Sequence, residues 1–79
     1  MEKLFKMADM AEERWKTLRQ ILNRATEKCI AEPKNLIADV ERETAYTNVL
    51  TAAAYHEGIM HAIEAAGLLG EYYHYKRTH

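Results

Sequence analysis

The chain has 79 residues and a mass of 9.2 kDa, which limits it to one small domain spanning residues 1–79. Apolar residues make up 48% and charged residues 29%, a composition that excludes a disordered polymer. With a net charge of −1 and no stretch apolar enough for a membrane span, the chain is expected to bind neither membranes nor nucleic acid.

The first predicted helix runs from about residue 3 to residue 30. Apolar and small side chains recur there at alternating spacings of four and three, which is the period of a helix with one apolar face. This seam consists of Leu4, Ala8, Ala11, Trp15, Leu18, Leu22, Ala25 and Cys29. Pro33 disfavours helical geometry at Glu32, so we expect the helix to end near Ile30 and a loop to span residues 31–35.

The second predicted helix runs from about residue 36 to residue 66. Asn35 is suited to cap its first turn, and Gly67 is placed like the glycine that often follows a helix. Between residues 44 and 70 only Glu57 and Glu64 carry charge, so most of the helix circumference is apolar or small. At 100° per residue one stripe contains Ala45, Val49, Ala52, His56, Ile59, Ile63 and Ala66.

These elements predict an all-α fold, an antiparallel hairpin of two long helices followed by a short helix at about residues 71–77. One neighbouring helix covers roughly a third of a helix surface, so the second helix needs further partners. We expect copies of the chain to supply them in a helical-bundle homo-oligomer, with a monomer closed by its last segment as the alternative. The predicted oligomer interface consists of Val49, Ala52, Gly58, Ile59, Ala62, Ile63 and Ala66.

The last nine residues are rich in aromatic and basic side chains. Tyrosine and arginine are common anchors at protein interfaces, and aromatic rings with cations can also hold nucleotides. The same tyrosines would equally serve to pack the third helix onto the hairpin. The predicted residues for binding a partner or ligand are Tyr72, Tyr73, Tyr75, Lys76 and Arg77.

No catalytic constellation is visible in the sequence. It contains no serine, its one cysteine (Cys29) lies on the packed seam, and its three glycines are dispersed rather than grouped in a phosphate-binding loop. We therefore expect neither an enzyme nor a cofactor. A lone thiol is typical of the reducing cytoplasm, which is the expected compartment.

Two polar features of the second half favour structural roles. Glu57, His61 and Glu64 lie one above another, and carboxylates and imidazole on one helix face are also found in metal sites of helical bundles. Their face points away from the apolar stripe, so we expect a solvated strip with an internal ion pair and no metal, with metal binding as the alternative. His56 lies on the apolar stripe and is expected to be a core or interface residue.

Residues 53–66, AAYHEGIMHAIEAA, resemble the C-terminal helix of small phage-encoded helical proteins, and the distinctive positions are Gly58 and Met60. They are similar in style to the anti-CBASS cyclic-nucleotide sponges, where a glycine followed by bulky apolar residues lies in the inner helix of the oligomer. The resemblance implies a short, oligomeric phage protein that acts by binding. The expected function is therefore a non-enzymatic inhibitor of host defence whose partner is a host protein, or alternatively a sponge for a small nucleotide.

Overall fold

The computed structural model describes residues 2–79, and within them it contains three helices and no strand. Helix α1 spans Glu2–Ala31, α2 spans Leu36–Ala65 and α3 spans Leu69–Thr78. The two long helices pack side by side in an antiparallel hairpin, and α3 folds back against it. The predicted all-α hairpin with a short third helix is confirmed. The molecule is elongated, with extents of 50 × 22 × 15 Å.

The loop end of the hairpin is fixed by two hydrogen bonds to one residue. The side-chain oxygen of Asn35 accepts a bond from the Ala38 N–H at 3.1 Å, so Asn35 caps α2 as predicted. The thiol of Cys29 donates a 3.2 Å bond to the Ala38 carbonyl oxygen. Ala38 has no exposed surface, because α1 and α2 approach each other closely at this residue.

The end of α2 is closed by the glycine that the sequence predicted for this role. Gly67 adopts a φ of +72°, the left-handed conformation that glycine reaches without strain. Its N–H donates to the Glu64 carbonyl oxygen and the Leu68 N–H donates to the Ile63 carbonyl oxygen, both at 2.9 Å. These two bonds form a Schellman motif, which reverses the chain so that α3 returns over the hairpin.

The largest buried cluster lies at the terminal end of the hairpin, and all three helices contribute to it. Its members are Phe5, Ala8 and Ala11 of α1, Ile59 and Ile63 of α2, and Tyr72 of α3. The alanines let the two long helices approach closely, while the rings of Phe5 and Tyr72 fill the space beneath α3 with their centroids 5.4 Å apart.

The buried residues of α1 differ from the predicted seam at Phe5. This residue lies off the seam by about a quarter turn, yet it is only 5% exposed, whereas Leu4 on the seam is half-buried. The reason is that α3 covers the flank of α1 on which Phe5 lies, so burial there depends on a third helix as well as on the hairpin.

No helix within residues 2–79 has an apolar stretch that could span a bilayer.

Candidate interaction surface

One side of the hairpin is left uncovered by α3. At 100° per residue Met7 and Ile21 fall within about 40° of each other around α1, and about 160° separates Met7 from Phe5, which lies beneath α3. Met7 and Met10 share a surface depression with Tyr55 of α2. We call this side the uncovered face and define it by its large apolar residues, Met7, Met10, Ile21, Val40 and Tyr55.

The side chains of the uncovered face are strongly exposed. Met10 is 69% exposed, Val40 63% and Tyr55 57%, and the remaining two, Ile21 and Met7, are above 40%. Towards the loop end the face deepens into a groove of about 540 Å³ between α1 and α2, lined mainly by apolar and small side chains. Two helices alone have no third layer to cover this groove, because α3 lies on the opposite side.

Charge is distributed unevenly around this face. On α1 its border is basic, with Arg24 and Lys28 at the rim of the groove and Arg14 beside Met10. Lys28 also meets Glu41 of α2 with its Nζ 3.6 Å from the carboxylate. On α2 the carboxylate that lines the groove is Glu41, whereas Glu57 and Glu64 lie about 160° and about 180° around the helix from Tyr55 and face away from the groove. A surface that packs on the uncovered face therefore meets a basic edge on one helix.

The predicted oligomer interface divides into two groups. Val49, Ala52, Ile59 and Ile63 are at most 9% exposed because α1 of the same chain packs against them, so in this structure they form the interior of the hairpin. This corrects their predicted place between copies of the chain. The remaining three predicted interface residues, Gly58, Ala62 and Ala66, are exposed. The most apolar stripe of α2 is thus used by the hairpin itself, and the small-residue flank is left outside.

Tyr72 lies in the core, not on a binding surface, which corrects its predicted role. Its ring is 1% exposed, and its hydroxyl donates a 2.8 Å hydrogen bond to Oδ1 of Asp9. Burial, followed by this bond to an acidic partner, raises the pKa of Tyr72 well above its usual range. The packing alternative that the sequence left open for the tyrosines therefore applies to Tyr72.

A second contact fixes α3 through its predicted binding residue Lys76. Its Nζ lies 2.6 Å from Oε2 of Glu12, while Nζ of Lys16 lies 3.0 Å from Oε1 of the same carboxylate. The hydrogen bond from Lys76, and then the one from Lys16, lower the pKa of Glu12 below its usual value of 4.5. Lys76 therefore already has a partner within the chain.

The other predicted residues of the tail differ in exposure. The half-buried ring of Tyr75 lies against Phe5 with centroids 5.5 Å apart, and against His79 at 4.2 Å. Tyr73 is 54% exposed and Arg77 is also exposed. Of the five predicted binding residues, Tyr73, Lys76 and Arg77 are thus exposed, and Lys76 pairs with Glu12.

The polar strip on α2 has the predicted geometry. Nε2 of His61 lies 3.8 Å from a carboxylate oxygen of Glu57, and both side chains are about 70% exposed. Among residues 2–79 no three histidine, cysteine or carboxylate side chains converge on a point where an ion could sit. The strip is therefore exposed to solvent in the single chain, with Glu57 and His61 side by side.

His56 is packed by a contact that the sequence did not indicate. Its ring lies parallel to the indole of Trp15, with the two centroids 6.3 Å apart. The Arg19 guanidinium lies 4.9 Å from the centroid of the same Trp15 ring. Nε2 of His56 is buried with no hydrogen-bond partner among the described residues. His56 thus packs inside the hairpin, in agreement with the core position expected for it.

Comparison of the chain with models of protein families, with curated proteins and with solved structures gave no match.

Proposed function

We propose that the protein acts by binding rather than by catalysis, as a helical hairpin that self-associates through its uncovered face. The observation that carries this proposal is the band of five large apolar side chains, Met7, Met10, Ile21, Val40 and Tyr55, each more than 40% exposed. Exposed apolar surface of this kind, here in two depressions on one side of the hairpin, is typical of sites where another protein surface packs. A four-helix bundle formed by two hairpins would bury the band in its interior.

Charge favours a second copy of the chain as the occupant. The α1 border of the face is basic at Arg14, Arg24 and Lys28. On α2 the one basic residue is Arg42, and the other charged residues are acidic. In a two-fold dimer that stacks α1 on α2 of its partner, the basic border of one chain approaches Glu41, the carboxylate that lines the groove of the other. Stacking α1 on α1 would instead oppose like charges, so we propose the first arrangement.

The assembled protein is proposed to inhibit a host-defence complex. Support for this step comes from the resemblance of residues 53–66 to phage-encoded inhibitors and from the exposed Tyr73 and Arg77 on α3, which are residue types that anchor protein interfaces. Sequestering a small nucleotide is the alternative function. Arg24 and Lys28 favour that alternative because they border an apolar groove, where a phosphate could meet cations and a base could meet apolar surface.

Light scattering tests the self-association. We expect a mass above the 9.2 kDa of one chain at micromolar concentration, and we expect Met10→Glu to reduce it to that of one chain while circular dichroism remains helical. Ile30→Glu is the matched control, because Ile30 is 76% exposed but lies on the other flank of α1. A wild-type protein that scatters as one chain would show that the uncovered face does not bind a second copy.

A nucleotide panel separates the two binding functions. A nucleotide present at 100 times its dissociation constant stabilises the folded state by about 2.7 kcal/mol, which a thermal shift detects. If a nucleotide binds in the groove, Arg24→Ala together with Lys28→Ala abolishes the shift. If no cyclic or linear nucleotide shifts the midpoint, the sponge function is wrong and the inhibition of a host protein complex is the function to test.

A further inference from the structure

The connector between α2 and α3 interrupts the helix at one residue, Gly67, through its positive φ. It consists of residues 66–68 and contains no proline. Ala66 has φ −82° and ψ −1°, and Leu68 has φ −105° and ψ 10°, so both lie on the right-handed side of the backbone map. Gly67, at φ +72°, is the one residue among 2–79 with a positive φ. A change at Gly67 to helical φ would let α2 continue into α3.

The site that holds α3 is made largely by α1, which is distant from α3 in the sequence. Phe5 packs against the rings of Tyr72 and Tyr75, Asp9 accepts the hydrogen bond of Tyr72, and Glu12 pairs with Lys76. We call Phe5, Asp9 and Glu12 the α3 site. None of these contacts requires α3 to belong to the same chain, since the α3 of any copy presents the same side chains.

Separated from this site, α3 is not expected to persist as a free element. It has only 10 residues, and isolated helices of that length are marginal in water. Opening the connector would also expose Phe5, Ile63 and Tyr72, which are all at most 5% exposed in the closed chain. If each α3 of two opened chains enters the site of the other chain, α3 regains a surface to pack on and the three core side chains are buried again.

We propose that α3 exchanges between two copies of the protein. In the exchanged dimer each chain forms one continuous helix from α2 through α3, and its Tyr72 and Lys76 bind Asp9 and Glu12 of the other chain. The contacts between α3 and its site are kept, and the backbone changes at the connector, where helical hydrogen bonds replace the two bonds of the Schellman motif. This exchange uses the flank of α1 opposite the uncovered face, so it does not depend on the proposed self-association there.

Gly67→Ala tests the connector directly. Alanine is disfavoured in the left-handed conformation but is the best helix former, so the substitution penalises the closed chain and favours the continuous helix. We expect the dimerisation constant to rise roughly 100-fold, about tenfold for each of the two connectors, measured by light scattering in the Met10→Glu background, where association through the uncovered face is removed. Gly70→Ala is the control, since Gly70 lies within α3 and has no positive φ. A Gly67→Ala protein that remains as monomeric as Gly70→Ala would overturn the proposal.

A charge-reversed pair tests whether α3 crosses between chains. Glu12→Lys places like charges in the α3 site beside Lys16 and Lys76, and Lys76→Glu places an acid beside Asp9 and Glu12, so each variant alone weakens docking of its own α3. After the two variants are unfolded and refolded together, exchange pairs every reversed α3 with a complementary site. We expect the mixture to unfold at a higher midpoint than either variant, with a mixed dimer visible by native mass spectrometry.

The control mixture combines Glu27→Lys with Arg77→Glu, which reverse exposed charges outside the contacts between α3 and its site. Refolding these two together is expected to leave the unfolding midpoints unchanged. A Glu12→Lys and Lys76→Glu mixture whose unfolding curve is the average of its two components would show that each α3 stays on its own chain, and the exchange would be refuted. The Gly67→Ala measurement decides independently if either charge variant does not fold.

Discussion

The hydroxyl of Tyr72 donates a 2.8 Å hydrogen bond to Asp9, a residue 63 positions earlier in the chain. The ring beneath the hydroxyl is 1% exposed, so a single side chain joins the apolar core to a polar rim. This contact, together with the bond from Lys76 to Glu12, holds the C-terminal helix against the beginning of α1. The tail thus closes the terminal end of the hairpin.

Tyr72→Phe is expected to lower the free energy of unfolding by about 1 kcal/mol, because it removes the bond to Asp9 and leaves the ring in place. Urea unfolding followed by circular dichroism measures the change. Tyr73→Phe is the control, since Tyr73 is 54% exposed. Equal stability of the two variants would mean that the bond to Asp9 contributes nothing measurable.

Alkaline pH is expected to destabilise the fold through the same residue. The pKa of Tyr72 is raised in the folded state, chiefly by burial, so the stability linked to its protonated form is fully present below the ordinary tyrosine value of about 10. That stability is lost as the pH rises above this value towards the pKa of the folded state. Urea midpoints between about pH 8 and about pH 11 should therefore fall more steeply for wild type than for Tyr72→Phe. Parallel slopes would contradict the assignment.

Acid pH is expected to act through Glu12. Its pKa is lowered in the folded state by the hydrogen bonds from Lys76 and Lys16, so the linked stability is present above the ordinary value of 4.5 and is lost as the pH falls below it. Glu12→Gln should flatten the stability profile in that range. Glu27→Gln, a change of the same kind on an exposed part of α1, should keep the wild-type slope.

Gly58 is expected to be replaceable by alanine but not by leucine. A Cβ atom built at this position meets nothing within 4 Å, so Gly58→Ala should raise the free energy of unfolding by about 0.5–1 kcal/mol. Gly58→Leu adds bulk to the exposed small-residue flank and should reduce self-association by light scattering without loss of helicity. Full association of the leucine variant would show that this glycine faces water in the assembled protein.

A chain that ends at Gly70 is expected to lose substantial stability, because α3 contributes to the buried cluster. Truncation removes Tyr72 from the core and exposes Phe5 and Ile63. Loss of a buried aromatic side chain alone costs about 3–5 kcal/mol. Thermal unfolding by circular dichroism measures the change, and a truncated chain with the wild-type midpoint would show that α3 contributes little to the fold.

The long helices were predictable because their signals are local. A seam of alternating four and three spacings, Pro33 after the first helix and Gly67 after the second placed the bounds of α1 and α2 within one residue of the structure. The first turn of α2 likewise follows from Asn35 alone. Such signals act within a few residues, so no knowledge of the tertiary fold was needed.

The sites were less predictable because they depend on which helix covers which flank. Phe5 is off the seam and becomes buried only when α3 lies over it. Tyr72 belongs to a helix of 10 residues, too short for its periodicity to separate a packed ring from an exposed one. The stripe of α2 was correctly identified as apolar, but periodicity does not say whether α1 of the same chain or a second copy covers it.

The elongated outline of the molecule affects how its mass should be measured. A body of 50 × 22 × 15 Å experiences more friction in water than a sphere of equal volume. One chain will therefore elute from a sizing column ahead of a globular standard of the same mass and can imitate a compact dimer. Sedimentation at several concentrations separates shape from stoichiometry, since friction is fixed by the outline whereas association varies with concentration.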